Sequence, residues 1–146
     1  AIGADVAVDS LEIRWPSGIV QTLLTPVMSE VHKIKELGLA GPETAPLGGT
    51  YTVHVAGPPM HAVQLYFSTN AVSVPAPTLG GILELGAPII GIGNTTLASD
   101  GKGAIHIPIP NPPWISGLIV HLQALLYEPA TLTELTLSNR ISPSLL

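Results

Sequence analysis

Fifteen glycines and fifteen prolines cut this chain into segments mostly about five to eleven residues long, and within most of them apolar and polar residues alternate. Proline removes a backbone donor and glycine weakens a helix interior, so such dense punctuation leaves little room for helices. Alternation with a period of two is the mark of strands with one buried face. The chain therefore reads as all-β. The one helix candidate, residues 26–39, spaces its apolar residues too loosely to form a stripe.

Two units follow from the spacing. In residues 1–36, Val6 and Val8 and then Leu11, Ile13 and Trp15 alternate toward one side, with Glu12 and Arg14 on the other. Pro16 and Gly18 occupy the second and fourth positions of a turn, which favours a type I turn closed by a left-handed glycine. Residues 19–24 form the return strand and residues 31–36 a third. Residues 37–49 (LGLAGPETAPLGG) have no period and read as a linker. Residues 50–146 carry strands at 50–56, 62–68, 81–85, 94–98, 103–108, 117–127 and 132–141. Turns at Gly57-Pro58-Pro59, Asp100-Gly101-Lys102-Gly103 and Asn111-Pro112-Pro113 separate several of them, and Gly91-Ile92-Gly93-Asn94 reads as a loop. About seven short strands in roughly a hundred residues fit an antiparallel β-sandwich of immunoglobulin or fibronectin size.

Only 10% of residues are charged, 46% are hydrophobic and the mean hydropathy is +0.47. A surface so poor in charge calls for a covering, supplied by partner subunits (copies of the chain or a larger protein complex), by a membrane surface or by a larger parent assembly. The net charge of −5, with five lysines and arginines in all, provides no basic stripe for nucleic acid. No apolar run is long enough for a membrane-spanning helix, because the richest, residues 118–127, is broken by His121 and Gln123. The absence of cysteine removes disulfides, thiolate catalysis and cysteine-ligated metals. An opening of Ala1-Ile2-Gly3-Ala4 without methionine reads as a processed product or fragment, in keeping with export.

Strand phase selects the candidate site residues. In residues 117–127, Leu118, Val120, Leu122, Ala124 and Leu126 share one face. Ile119, His121, Gln123, Leu125 and Tyr127 make the other, half-apolar face, which is either covered in a central strand or a contact surface between proteins. Trp114 follows a proline loop, where it meets a ligand or plugs the end of the sandwich, and with Tyr66 and Tyr127 it is a candidate carbohydrate contact. His54, His106 and His121 fall on the less apolar phases of their strands and would meet a metal only on neighbouring strands of one sheet. No His-x-His pair, HExxH or flanking acid supports that, so they read as surface or interface histidines and no metal or cofactor is assigned. No G-x-S-x-G elbow is present and Glu84, Glu128 and Glu134 are scattered, so no catalytic residue is assigned. Asn94-Thr95-Thr96 has the form of a glycosylation sequon.

Residues 8–18, Val8-Asp9-Ser10-Leu11-Glu12-Ile13-Arg14-Trp15-Pro16-Ser17-Gly18, followed by Val20-Gln21-Thr22-Leu23 and Ile34-Lys35-Glu36, resemble the ASPIC/UnbV module. Arg14, Trp15, Pro16 and Gly18 carry the likeness, as the Arg-Trp-Pro-x-Gly hairpin of that family. The resemblance implies an extracellular or envelope setting and no catalytic activity. Ile105-His106-Ile107-Pro108-Ile109-Pro110-Asn111, Gly117-Leu118, Gln123-Ala124 and Leu137-Ser138-Asn139 look like the C-terminal β-modules of secreted planctomycete-like bacterial proteins. The reading that joins these features is a non-enzymatic exported structural or assembly protein. The alternative is an adhesion module that binds carbohydrate or another cell-surface component.

Overall fold

The computed structural model describes residues 10–24 and 37–146, and the molecule they form is all-β. Strands β1 (Ser10–Arg14) and β2 (Val20–Leu24) make an antiparallel hairpin with Arg14 opposite Val20. The chain reverses between Trp15 and Gly18 and closes on a left-handed glycine. Gly18 N donates to Trp15 O at 3.0 Å, Trp15 N donates to Ile19 O at 2.8 Å, and Gly18 adopts φ 96°. Arg14 faces out and pairs with Glu12 at 2.8 Å, while the half-buried Trp15 donates its indole N–H to Gln21 Oε1 at 2.9 Å. Ile19 is the buried anchor of this hairpin. The strand expected at residues 31–36, like Val6 and Val8, lies outside the described residues.

Two sheets form the body of the molecule. The first joins β3 (Gly38–Ala40), β5 (Thr50–Ala56) and β10 (Lys102–Pro108) in the order β10-β5-β3. The second joins β6 (Ala62–Ser68), β9 (Ile90–Thr96), β11 (His121–Glu128) and β12 (Thr133–Leu137) in the order β12-β11-β6-β9. Every pairing within these two sheets is antiparallel. Alternation explains the core between them. Tyr51, Val53 and Val55 of β5 are buried while Thr52 and His54 are less so, and Val63, Leu65, Leu122, Ala124 and Leu126 meet them from the second sheet. The result is a sandwich-like architecture of seven main strands. A parallel pair, β4 (Thr44–Ala45) with β13 (Ser144–Leu145), and a hairpin of β7 (Ala71–Ala76) and β8 (Gly81–Leu85) complete it.

Five segments differ from their sequence reading. The strand read at residues 132–141 is β12 only over Thr133–Leu137, because the side chains of Ser138 and Asn139 take over as acceptors for Ala124 N and Leu39 N. Residues 37–49 hold β3 and β4 in place of a featureless linker, because Leu39 and Ala45 belong to the core. Residues 91–94 lie within β9 in place of a loop. Gly91 and Gly93 are accommodated there because Gln64 Nε2 and Ile105 Cγ2 stand 3.1 and 2.8 Å from where their Cβ atoms would be. Residues 71–76 form a strand that the reading omits, since pairing with β8 organises a segment whose own pattern is weak and contains Pro75. The long strand begins at His121, not at residue 117, after a 3-10 turn over Pro113–Ile115 and a single bridge from Ile119 to Ser144.

The turn joining β9 to β10 depends on Gly101, which adopts φ 77° and would drive a Cβ into Gly57 O. Gly101 O also accepts from Gly57 N at 2.9 Å, which ties this turn to the one before β6. Gly101→Ala is expected to destabilise the protein by about 1–3 kcal/mol in urea unfolding, the cost of a strained left-handed residue plus the clash.

Candidate functional site

β9 and β10 are the facing edges of the two sheets, held together at one end where Ala98 N donates to Lys102 O at 3.0 Å. Toward the other end, where β10 runs out at Pro108, a cavity of about 470 Å³ opens between the sheets. Phe67, Ile92 and Ile107 line it from the strands, and Ile109, Trp114 and Leu118 from the loop that follows β10. Among the described residues that line it none is charged, and only Thr69 and Tyr51 contribute side-chain hydroxyls. The Tyr51 hydroxyl donates to Pro42 O at 2.7 Å, and burial pushes its pKa up to about 12.

Local chemistry builds the mouth of this cleft. Ile109 N still donates to Gly49 O at 2.9 Å, Pro110 then brings no N–H group to continue the edge of β10, and Pro113 starts a single 3-10 turn. Ile115 N then donates to Pro112 O and Ser116 N to Pro113 O, each at 3.3 Å. In that turn Ile115 is buried and plugs the sandwich end, whereas Trp114 is 83% exposed. The indole therefore stands at the rim with its body free to meet another molecule.

The expected interface residues separate. β11 lies between β12 and β6, and Gln123 is 1% exposed beneath β8. Its Nε2 donates to Ile82 O and Ser138 O at 2.8 Å each, and its Oε1 accepts from Glu84 N at 3.0 Å. Of the two readings of this strand face, the covered one describes Gln123, which is therefore no contact surface. Leu125 and Tyr127 are half-buried, and Ile119 is exposed beyond the start of the strand. His121 Nδ1 lies 2.7 Å from Ser142 Oγ, and burial, then the nearby Arg140 charge, lowers the pKa of its ring below 6.5. This serine–histidine contact joins residues 21 apart and was not legible in their spacing.

The other candidates are also dispersed. His54 and His106 sit on β5 and β10, opposite Ala104 and Thr52, and His106 Nδ1 is 2.9 Å from Thr52 Oγ1. His121 belongs to the other sheet, so the three histidines do not converge. Among the described residues no group of three or more His, Cys, Asp or Glu is placed to hold a metal ion. Tyr127 pairs with Ala62, at the end of β11 remote from Trp114's cavity, and Tyr66 is half-buried in β6. The aromatic residues therefore do not form one sugar-binding platform.

Alternation puts Ile105, Ile107 and Ile109 on one face of their segment, and Ile107 and Ile109 reach the cleft. Ile92 was concealed by its flanking glycines, and nothing in the sequence brings Phe67 beside Trp114. A second cavity, about 550 Å³, lies between the N-terminal hairpin and the end of β12. Several of its polar groups already serve the fold. Glu84 Oε2 accepts from Arg140 N at 3.0 Å and Gln21 Oε1 from Leu37 N at 3.2 Å. Among the described residues no helix is long and apolar enough to cross a membrane.

No family model and no curated protein matches this chain. Among solved structures the chain is similar to a superoxide reductase (neelaredoxin) from Ignicoccus hospitalis, with 15% sequence identity over 74% of this chain and 78% of that one, at a TM-score of 0.44.

Proposed function

We propose that this chain is a non-enzymatic subunit of an exported assembly, and that its cleft beside Trp114 receives an uncharged, apolar segment of a partner protein, a second copy included. The observation that carries this reading is the wall of the cleft: about 470 Å³ with no charged side chain among the described residues that line it, rimmed by an 83% exposed tryptophan. A cleft of this size lies in the usual range of binding sites. Covering its apolar surface releases about 25 cal/mol per Å². Tryptophan at the rim suits a binding hot spot, because it supplies a large apolar area at little entropic cost. The low overall charge supports the same reading, and the resemblance of residues 8–36 supports export.

Carbohydrate binding is the second reading, and the exposure of Trp114 favours it. Sugars, however, need hydrogen-bonding partners around the stacking ring, and the cleft beside Trp114 is walled by Ile109, Pro110 and Leu118. Size exclusion with light scattering, run on native extract, separates the two. The expected result is a particle well above 15.1 kDa for the parent chain. Trp114→Ala should return it to a monomer with unfolding free energy changed by less than about 0.5 kcal/mol, as for an exposed position. A monomeric parent, or a variant that assembles unchanged, would overturn the assembly reading. Glycan-array binding lost on Trp114→Ala would establish the alternative.

A further inference from the structure

We propose that His61 is a protonation-operated latch, whose doubly protonated ring ties the turn before β6 to the turn between β11 and β12. The His61 side chain is 8% exposed. Its Nε2 lies 3.0 Å from Glu134 Oε2, and its Nδ1 lies 3.3 Å from Pro59 O and 4.0 Å from Glu128 Oε2. A backbone carbonyl and an ionised carboxylate only accept hydrogen bonds. A neutral imidazole carries one N–H and would turn a lone pair toward one of these acceptors. The imidazolium carries two, and satisfies both sides of the site.

The backbone around this contact is strained on both sides. Among the described residues the non-glycine positions with positive φ are Met60 at 65°, Leu132 at 54° and Glu134 at 55°. All three belong to the segments that His61 joins. Met60 and Leu132 also hold apolar side chains 59% and 68% exposed, an arrangement that neither burial nor backbone preference sustains. Both turns also carry local bonds: Leu132 N donates to Glu128 O at 2.8 Å, Ala130 N to Glu128 Oε1 at 3.1 Å, and Thr131 Oγ1 lies 2.6 Å from Thr133 Oγ1, while Met60 N donates to Ala98 O and His61 N to Pro58 O, each at 3.3 Å. Glu128 of β11 and Glu134 of β12 face the ring. The turn joining β9 to β10 brings Asp100 and Lys102 to this end, and Asp100 Oδ1 accepts from Lys102 N at 3.1 Å. With the proton present the latch is closed. Its loss frees the exposed Glu134 carboxylate to water, and the turn between β11 and β12 relaxes out of its left-handed conformation.

Imidazole ¹⁵N chemical shifts of the labelled full chain report the protonation of His61, and amide hydrogen exchange at Leu132 reports the turn. Corrected for intrinsic base catalysis, protection at Leu132 is expected to fall about tenfold as His61 loses its proton, the scale of one charge-assisted hydrogen bond. Glu134→Gln, at an exposed position, should abolish that pH dependence while the Leu97 amide stays protected by its bond to His61 O at 2.9 Å. A ring that keeps one protonation state wherever the protein is folded would overturn the latch. So would protection at Leu132 that ignores the titration, or that tracks it equally in Glu134→Gln.

Discussion

Gln123→Leu is expected to lower stability by about 3–5 kcal/mol and to loosen the β7–β8 hairpin from the sheet beneath it. The side chain is 1% exposed and makes three hydrogen bonds, to Ile82 O, Ser138 O and Glu84 N. Leucine keeps the bulk but strands those three backbone groups, each costing about 1–3 kcal/mol when buried without a partner. The sum is capped, because β8 can lift away and return its groups to water. Urea unfolding measures the loss, and faster exchange at the Glu84 amide with the β5 and β6 amides still protected would locate it. A loss below about 1 kcal/mol would mean that the hairpin docks through its apolar contacts.

The second large effect concerns residues whose composition reads as a linker. Leu39→Ala is expected to cost about 2–5 kcal/mol, the range for emptying a buried leucine site. A true linker position would change by no more than about 0.5 kcal/mol. Leu39 is 0% exposed and stands opposite Val55 in the β3–β5 pair. The free side of β3 is closed by a side chain: Leu39 N donates to Asn139 Oδ1 at 2.7 Å, and Asn139 Nδ2 donates to Leu39 O at 3.1 Å. The Asn139 amide thus does the work of a neighbouring strand across 100 residues of sequence. Thermal unfolding of Leu39→Ala beside the parent chain decides between the two readings.

These two variants probe the scaffold, and the proposals for the cleft and the latch can be tested apart from each other. His61 precedes one end of β6 and Phe67 lies near the other, about 20 Å away at the rise of an extended strand. Trp114→Ala should therefore leave the His61 titration unchanged, and Glu134→Gln should leave assembly unchanged.

What the sequence determined by itself was local. β5, β6 and β8 have the bounds read from period-two alternation between turn residues, because glycine admits backbone angles closed to other residues and proline fixes its own, and both properties are local. The Trp15-to-Gly18 turn followed for the same reason, and so did the all-β class. Tertiary structure decided everything that depends on neighbours distant in the chain. It placed a three-residue strand in the core at Leu39, made a strand of the glycine-rich segment around Ile92, and closed the face of β11 over Gln123. It also gathered Phe67, Ile92, Ile107 and Trp114 around one cleft, and set His61 against Glu134. Periodicity reports which face of a strand is apolar, but the identity of what covers that face is set by sheet order and packing, and neither leaves a local signature.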